Sequence, residues 1–100
     1  MTPLYLASKE GFFEVVRFLI EKGGATANVA DRDGFAPLHI AACNNHITIV
    51  QYLVEKAGAE VDMTENNGFT ALYIGAELGH TEVVRFLVEK GGADANFAEF

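Results

Sequence analysis

The chain has one cysteine, no tryptophan and two prolines among 100 residues, and it sets only seven basic side chains against fourteen acidic ones. A lone Cys43 cannot build a disulfide framework, which fits a reducing compartment and makes the cytosol or nucleus the expected location. The net charge of −7 argues against a nucleic-acid partner, because binding a phosphate backbone needs clustered Lys and Arg. No segment approaches the roughly 18 apolar residues that cross a bilayer. The opening MTPLYLASKEG has neither the basic start nor the long apolar core of an export signal. Neither membrane insertion nor secretion is therefore expected.

Half the residues are hydrophobic and 21% are charged, a balance that folds. Much of that content is written more than once. VVRFLIEKGGA at 15–25 returns as VVRFLVEKGGA at 83–93, one methyl group apart. TPLYLAS begins at Thr2, APLHIAA at Ala36 and TALYIGA at Thr70, so the period is 34 residues. The same offset links Val15, Ile49 and Val83, and it links the turn glycines Gly34 and Gly68. Three units of approximately 1–34, 35–68 and 69–100 fill one domain, 1–100, without a linker. Counting basic against acidic residues, four and five, one and four, then two and five, gives them charges of −1, −3 and −3.

Each unit predicts two helices. The first starts where Thr2 and Thr70 can cap it and where Pro3 and Pro37 take the first helical position, which needs no N–H donor. It ends at Gly11, Asn45 and Gly79, residues that tolerate a left-handed terminus. Leu4, Leu38 and Leu72 beside the small Ala7, Ala41 and Gly75 favour close stacking. The second helix is expected over Phe13–Lys22, Ile47–Lys56 and Thr81–Lys90, stopped by Gly23-Gly24, Ala57-Gly58 and Gly91-Gly92. Its polar residues form one narrow stripe, in which Arg17 with Glu21 and Arg85 with Glu89 are spaced to pair. Val15, Val16, Phe18, Leu19 and Ile20 take nearly all the rest. So apolar a helix needs cover on more than one side, which stacked units supply.

Fourteen residues, Gly23 to Ala36 and Ala57 to Thr70, join each second helix to the next first helix. They carry RDG at 32–34 and NNG at 66–68, where glycine supplies the positive φ of a tight turn. With APLHIAA at 36–42, the DG and NG turns before Phe35 and Phe69, GHTEVVRFLVEKGGADAN at 79–96, and Asn28 and Asn96 in the connecting segments, the sequence resembles the ankyrin repeat family over essentially its whole length. The resemblance implies an all-α solenoid of paired antiparallel helices joined by β-hairpin-like loops.

Three departures from the family pattern carry expectations. The usual repeat has one residue fewer, and the extra one falls at Gly23-Gly24, Ala57-Gly58 and Gly91-Gly92, lengthening the loop. No unit has both the threonine and the histidine of the TPLH motif: the copies read Thr2 with Tyr5, Ala36 with His39 and Thr70 with Tyr73. Ala36 cannot cap, so the middle unit's first helix is expected to be the loosest at its start. No polar end caps are evident, which reads as a segment of a longer array or as ends that stack on another chain. Self-association is accordingly expected.

No catalytic constellation emerges, and no cofactor or metal is expected. His39, Cys43 and His46 have a spacing that could hold zinc, but the resemblance puts both histidines on scaffold positions and Cys43 on a variable exposed one. A Cys43 nucleophile would need an activating partner and a pocket that the repeats do not suggest. His80 is expected to hydrogen-bond in its inter-helix turn. Asn28 and Asn96 can be read as modification sites, with bonding inside the loop favoured.

Binding residues are those that change between units while the scaffold repeats. Lys9 and Glu10 become Cys43 and Asn44, then Glu77 and Leu78. By resemblance these lie on the concave face through which the family engages partners. The hairpin tips change as well, Arg32 and Asp33 becoming Asn66 and Asn67. Phe35 and Phe69 recur after the turn glycine, either as a packing ladder between hairpins or as aromatic anchors for a partner. The resemblance implies a non-enzymatic scaffold that binds a protein. Asp31, Asp33, Glu65 and Glu99 near the hairpins favour a basic one. The alternatives are a regulatory or targeting segment of a larger enzyme, or a passive spacer.

Overall fold

A computed structural model describes residues 1–96. Six helices follow one another: α1 (Pro3–Glu10), α2 (Phe13–Glu21), α3 (Pro37–Cys43), α4 (Ile47–Glu55), α5 (Ala71–Leu78) and α6 (Thr81–Glu89). They form three helix pairs, α1 with α2, α3 with α4 and α5 with α6. The main contacts between pairs join like helices of adjoining units: α1 to α3 to α5, and α2 to α4 to α6. The units therefore stand in a row, and α3 and α4 are packed on both sides.

Local chemistry sets the helix ends. Thr2 and Thr70 cap α1 and α5 by accepting the N–H of Tyr5 at 3.0 Å and of Tyr73 at 3.1 Å. Ala36 offers no such acceptor, but the start of α3 has other contacts. Pro37 to Ala42 are all buried, and the His39 ring turns back so that Nδ1 accepts the Ala36 N–H at 3.0 Å. The first helices end on left-handed residues as expected, Gly11 (φ 82°), Asn45 (φ 60°) and Gly79 (φ 74°). Each second helix ends one residue before the lysine expected to close it.

The connections are irregular backbone, and no strand occurs among the described residues. Each is drawn tight by an acidic side chain. Asp31 Oδ1 accepts the N–H of Asp33 and of Phe35, both at 2.9 Å. One unit later Glu65 Oε1 accepts those of Asn67 at 2.7 Å and Phe69 at 3.0 Å. Gly34, at φ 82°, lies so close to Asn66 that an added Cβ would stand 2.7 Å from its backbone nitrogen. That position needs glycine both for its backbone angle and for its space.

Leu4, Val16, Leu38, Ile49, Leu53, Val83 and Leu87 form the centre of one continuous core. Two expectations fail at the edges. Arg17 bonds Glu14 at 2.8 Å and lies 3.8 Å from Glu21, but no Arg85–Glu89 pair forms among the described residues. Such exposed pairs gain little over hydrated side chains, so near-identical sequences need not share them. The apolar α2 is also not covered on both sides: Val15 is 47% and Phe18 63% exposed. A helix is covered only where a neighbour stands, and among the described residues α2 packs chiefly against α1 and α4.

Candidate binding surface

The variable residues fall into two rows at opposite ends of the first helices. Lys9 and Glu10 close α1, Cys43 closes α3 with Asn44 beyond it, and Glu77 and Leu78 close α5. Arg32 and Asp33, then Asn66 and Asn67, form the other row at the exposed hairpin tips. Cys43 is half-buried and not exposed as expected, because α3 is enclosed by α1 and α5 and shows almost no side-chain surface of its own.

Both rows are fastened from behind. His46 Nε2–H donates to the Lys9 carbonyl at 3.0 Å, and Asn44 Nδ2 donates to the same oxygen at 3.0 Å. His80 repeats the device one unit on, bonding the Cys43 carbonyl at 2.9 Å. At the tips, Asn66 Nδ2 donates to the Arg32 carbonyl at 3.0 Å and Asn66 N–H to that of Asp33 at 3.0 Å. His46 and Asn66 of the second unit and His80 of the third thus hold turns of the unit before them. His80 is hydrogen-bonded, as expected of this turn residue, and its partner lies in the preceding unit.

The spacing that could suggest zinc does not assemble a site. His39 Nε2–H donates to the Met63 carbonyl at 2.8 Å while Nδ1 accepts from Ala36, so both ring nitrogens are engaged. Burial pushes the His39 pKa down against the weaker pull of the Met63 carbonyl, Glu65 and Asp31, keeping the ring neutral. Among the described residues no three His, Cys, Asp or Glu side chains are grouped as metal ligands.

Asn28 also bonds between units. Its Nδ2 donates to the Gly58 carbonyl at 3.2 Å and its Oδ1 accepts the Glu60 N–H at 2.9 Å. Asp62 repeats the second contact by accepting the Asp94 N–H at 3.2 Å. The backbone N–H of Asn96 bonds Asp94 within the loop at 2.9 Å.

Phe35 and Phe69 are half-buried, and each packs onto its own unit's first helix. Phe69 stacks on Tyr73 with centroids 4.3 Å apart and rings 6° from parallel, whereas Phe35 meets His39 at 5.7 Å. They do not form a ring-to-ring ladder with each other.

Of the acidic residues near the hairpins, Asp31 and Glu65 bond their own turns, Glu65 being only 5% exposed. Glu99 lies outside the described residues. Sequence reading missed Tyr5, whose hydroxyl pKa is raised by burial and then by the adjacent Asp31. It also missed Tyr52, which donates to Glu21 at 3.0 Å and meets Phe13 edge-on at 5.5 Å between units.

Helix pairs in a single row, with each turn held by the next unit, define a helical repeat solenoid. A family model described as "Ankyrin repeats (3 copies)" matches residues 1–65 and 27–98, and the chain belongs to the ankyrin repeat family. That family is generally one of protein–protein interaction modules and is typically non-catalytic. No curated protein matches the sequence. Among the described residues no helix is long and apolar enough to cross a membrane.

Proposed function

We propose that this chain is a non-enzymatic scaffold that binds a partner protein across the row Lys9/Glu10, Cys43/Asn44 and Glu77/Leu78 and along the tips Arg32/Asp33 and Asn66/Asn67. One observation carries the reading: the side chains of the first row differ in every unit, while the Lys9 and Cys43 carbonyls behind them are held by the same histidine device. A surface fixed before contact loses little conformational freedom on binding. Leu78, half exposed where the other units have Glu10 and Asn44, is the apolar anchor. Glu10, Asp33 and Glu77, on a chain of net charge −7, favour a basic partner. The half-buried Phe35 and Phe69 serve chiefly to pack the hairpins.

Affinity capture with the chain, beside Leu78→Arg and Asp33→Arg variants that keep its helical circular dichroism, tests the reading. A protein held by the parent, released by either variant and eluted by rising salt supports it. Equal retention by all three chains contradicts the assigned surface, and retention indifferent to salt contradicts the basic partner.

A further inference from the structure

The two ends of the row carry matching halves of an interface that the chain already contains twice. Val83, Phe86 and Leu87 of α6 pack towards the middle unit and are 0%, 7% and 0% exposed. Their counterparts 68 positions earlier are Val15, Phe18 and Leu19, and these lie open or half-open on the outer side of α2. Leu6 shows the same contrast, 47% exposed where its counterparts Ile40 and Ile74 are 8% and 6% exposed. An apolar groove lined by Pro3, Leu6, Phe12, Val15 and Leu19 marks the place.

The opposite end holds the complement. Val16 of α2 is fully buried and Ile20 half-buried where the first unit faces the second. Their counterparts in α6 are the half-open Val84 and the 42% exposed Val88, and Tyr73 of α5 is also 42% exposed. Because α2 and α6 are spelled almost identically, the outer side of unit 3 presents nearly the surface that unit 1 lays on unit 2. The outer side of unit 1 presents nearly the surface that unit 3 offers to unit 2.

We propose that copies of this chain join head to tail, the outer face of α5 and α6 in one copy seating on the outer face of α1 and α2 in the next. The junction continues the internal interface across a chain boundary. A contact between two different surfaces forms a ring only where its rotation closes; one that continues the row of units adds copies in an open series. One element is missing from it. Where His46 and His80 bond the preceding turn, the first unit has Phe12, which has no donor for the Glu77 carbonyl. The junction is therefore apolar and reversible, weaker than the internal ones. Since units 1 and 3 both carry negative charge, added salt strengthens it by screening, the reverse of its effect on a basic partner.

Sedimentation velocity of the 100-residue chain, with Val15→Lys and Val88→Lys variants, tests the proposal. Both residues are solvent-exposed, and unchanged thermal melts would confirm that the variants fold. The parent should sediment faster as concentration rises from low micromolar to near millimolar, and more so at high salt. Each variant alone should stay monomeric, while an equimolar mixture forms a one-to-one dimer, because each supplies the face that the other lacks. A monomeric parent throughout that range overturns the proposal. So does a variant that associates by itself, which would show like faces meeting, or a mixture that stays monomeric.

Discussion

The imidazole of His46 bonds the carbonyl oxygen of Lys9, 37 positions earlier, and so fastens the turn of one unit from the start of the next unit's second helix. Gly11 makes room for it: a Cβ there would stand 2.7 Å from the ring. His80 repeats the bond to Cys43. Because these links are made with neutral carbonyls near the surface, each contributes modestly, and the regularity of the row depends on having both.

His80→Ala should lower the free energy of unfolding by about 1–2 kcal/mol, since it leaves a partly buried carbonyl without its donor. Urea titration would show a lower midpoint with an unchanged slope. An unchanged midpoint would mean that water replaces the ring without loss.

Ala36→Thr should stabilise the chain by about 1 kcal/mol, because it gives α3 the side-chain acceptor that Thr70 already gives α5. Thr70 is itself buried at the corresponding position, so a threonine side chain has a precedent there. A drop in melting temperature would show that the middle unit is too tightly enclosed to take the extra atoms.

Ser8 is buried in α1, and its hydroxyl has no hydrogen-bond partner. Ala42 and Ala76 occupy the same place in the other units. Ser8→Ala should leave stability equal or raise it by about 1 kcal/mol, since an unpaired buried hydroxyl costs free energy that a methyl group does not. A loss of stability on thermal melting would count against this.

The pH dependence should centre on His39, whose folded pKa is lowered by burial from its ordinary 6.5. The unfolded chain therefore takes up the proton more readily than the native one. Stability is complete above about pH 6.5 and falls as the pH drops through the ordinary value towards the folded one. Protonation also removes the Nδ1 lone pair that accepts the Ala36 N–H. Gln at this position can still accept that N–H but does not titrate, so His39→Gln should flatten the stability profile between about pH 7 and 5. Parallel profiles for both chains would assign the dependence to other groups.

Much of the fold is legible because the repeat states it three times. Gly34 and Gly68 mark the turns, Thr2 and Thr70 mark helix starts, and the row of units follows from an α2-type helix too apolar to stand alone. What the sequence does not expose is pairing at a distance. Asn28 reads as a residue of its own loop, but its partners Gly58 and Glu60 lie 30 and 32 positions away. Asp31 and Glu65 read as surface charge until the turn geometry brings their own backbone onto them. Val15 and Val83 have the same neighbours in sequence and opposite burial, because burial depends on which unit stands beside them.

Among the described residues the middle unit alone is packed on both sides, and amide hydrogen exchange followed by NMR measures that directly. Protection should be greatest in α3 and α4, at Ala41, Val50 and Leu53, and should decline towards α1 and α2 at one end and α6 at the other. Protection that is greatest in α1 and α2, or lowest in α3 and α4, would contradict a row in which each unit is held by its neighbours.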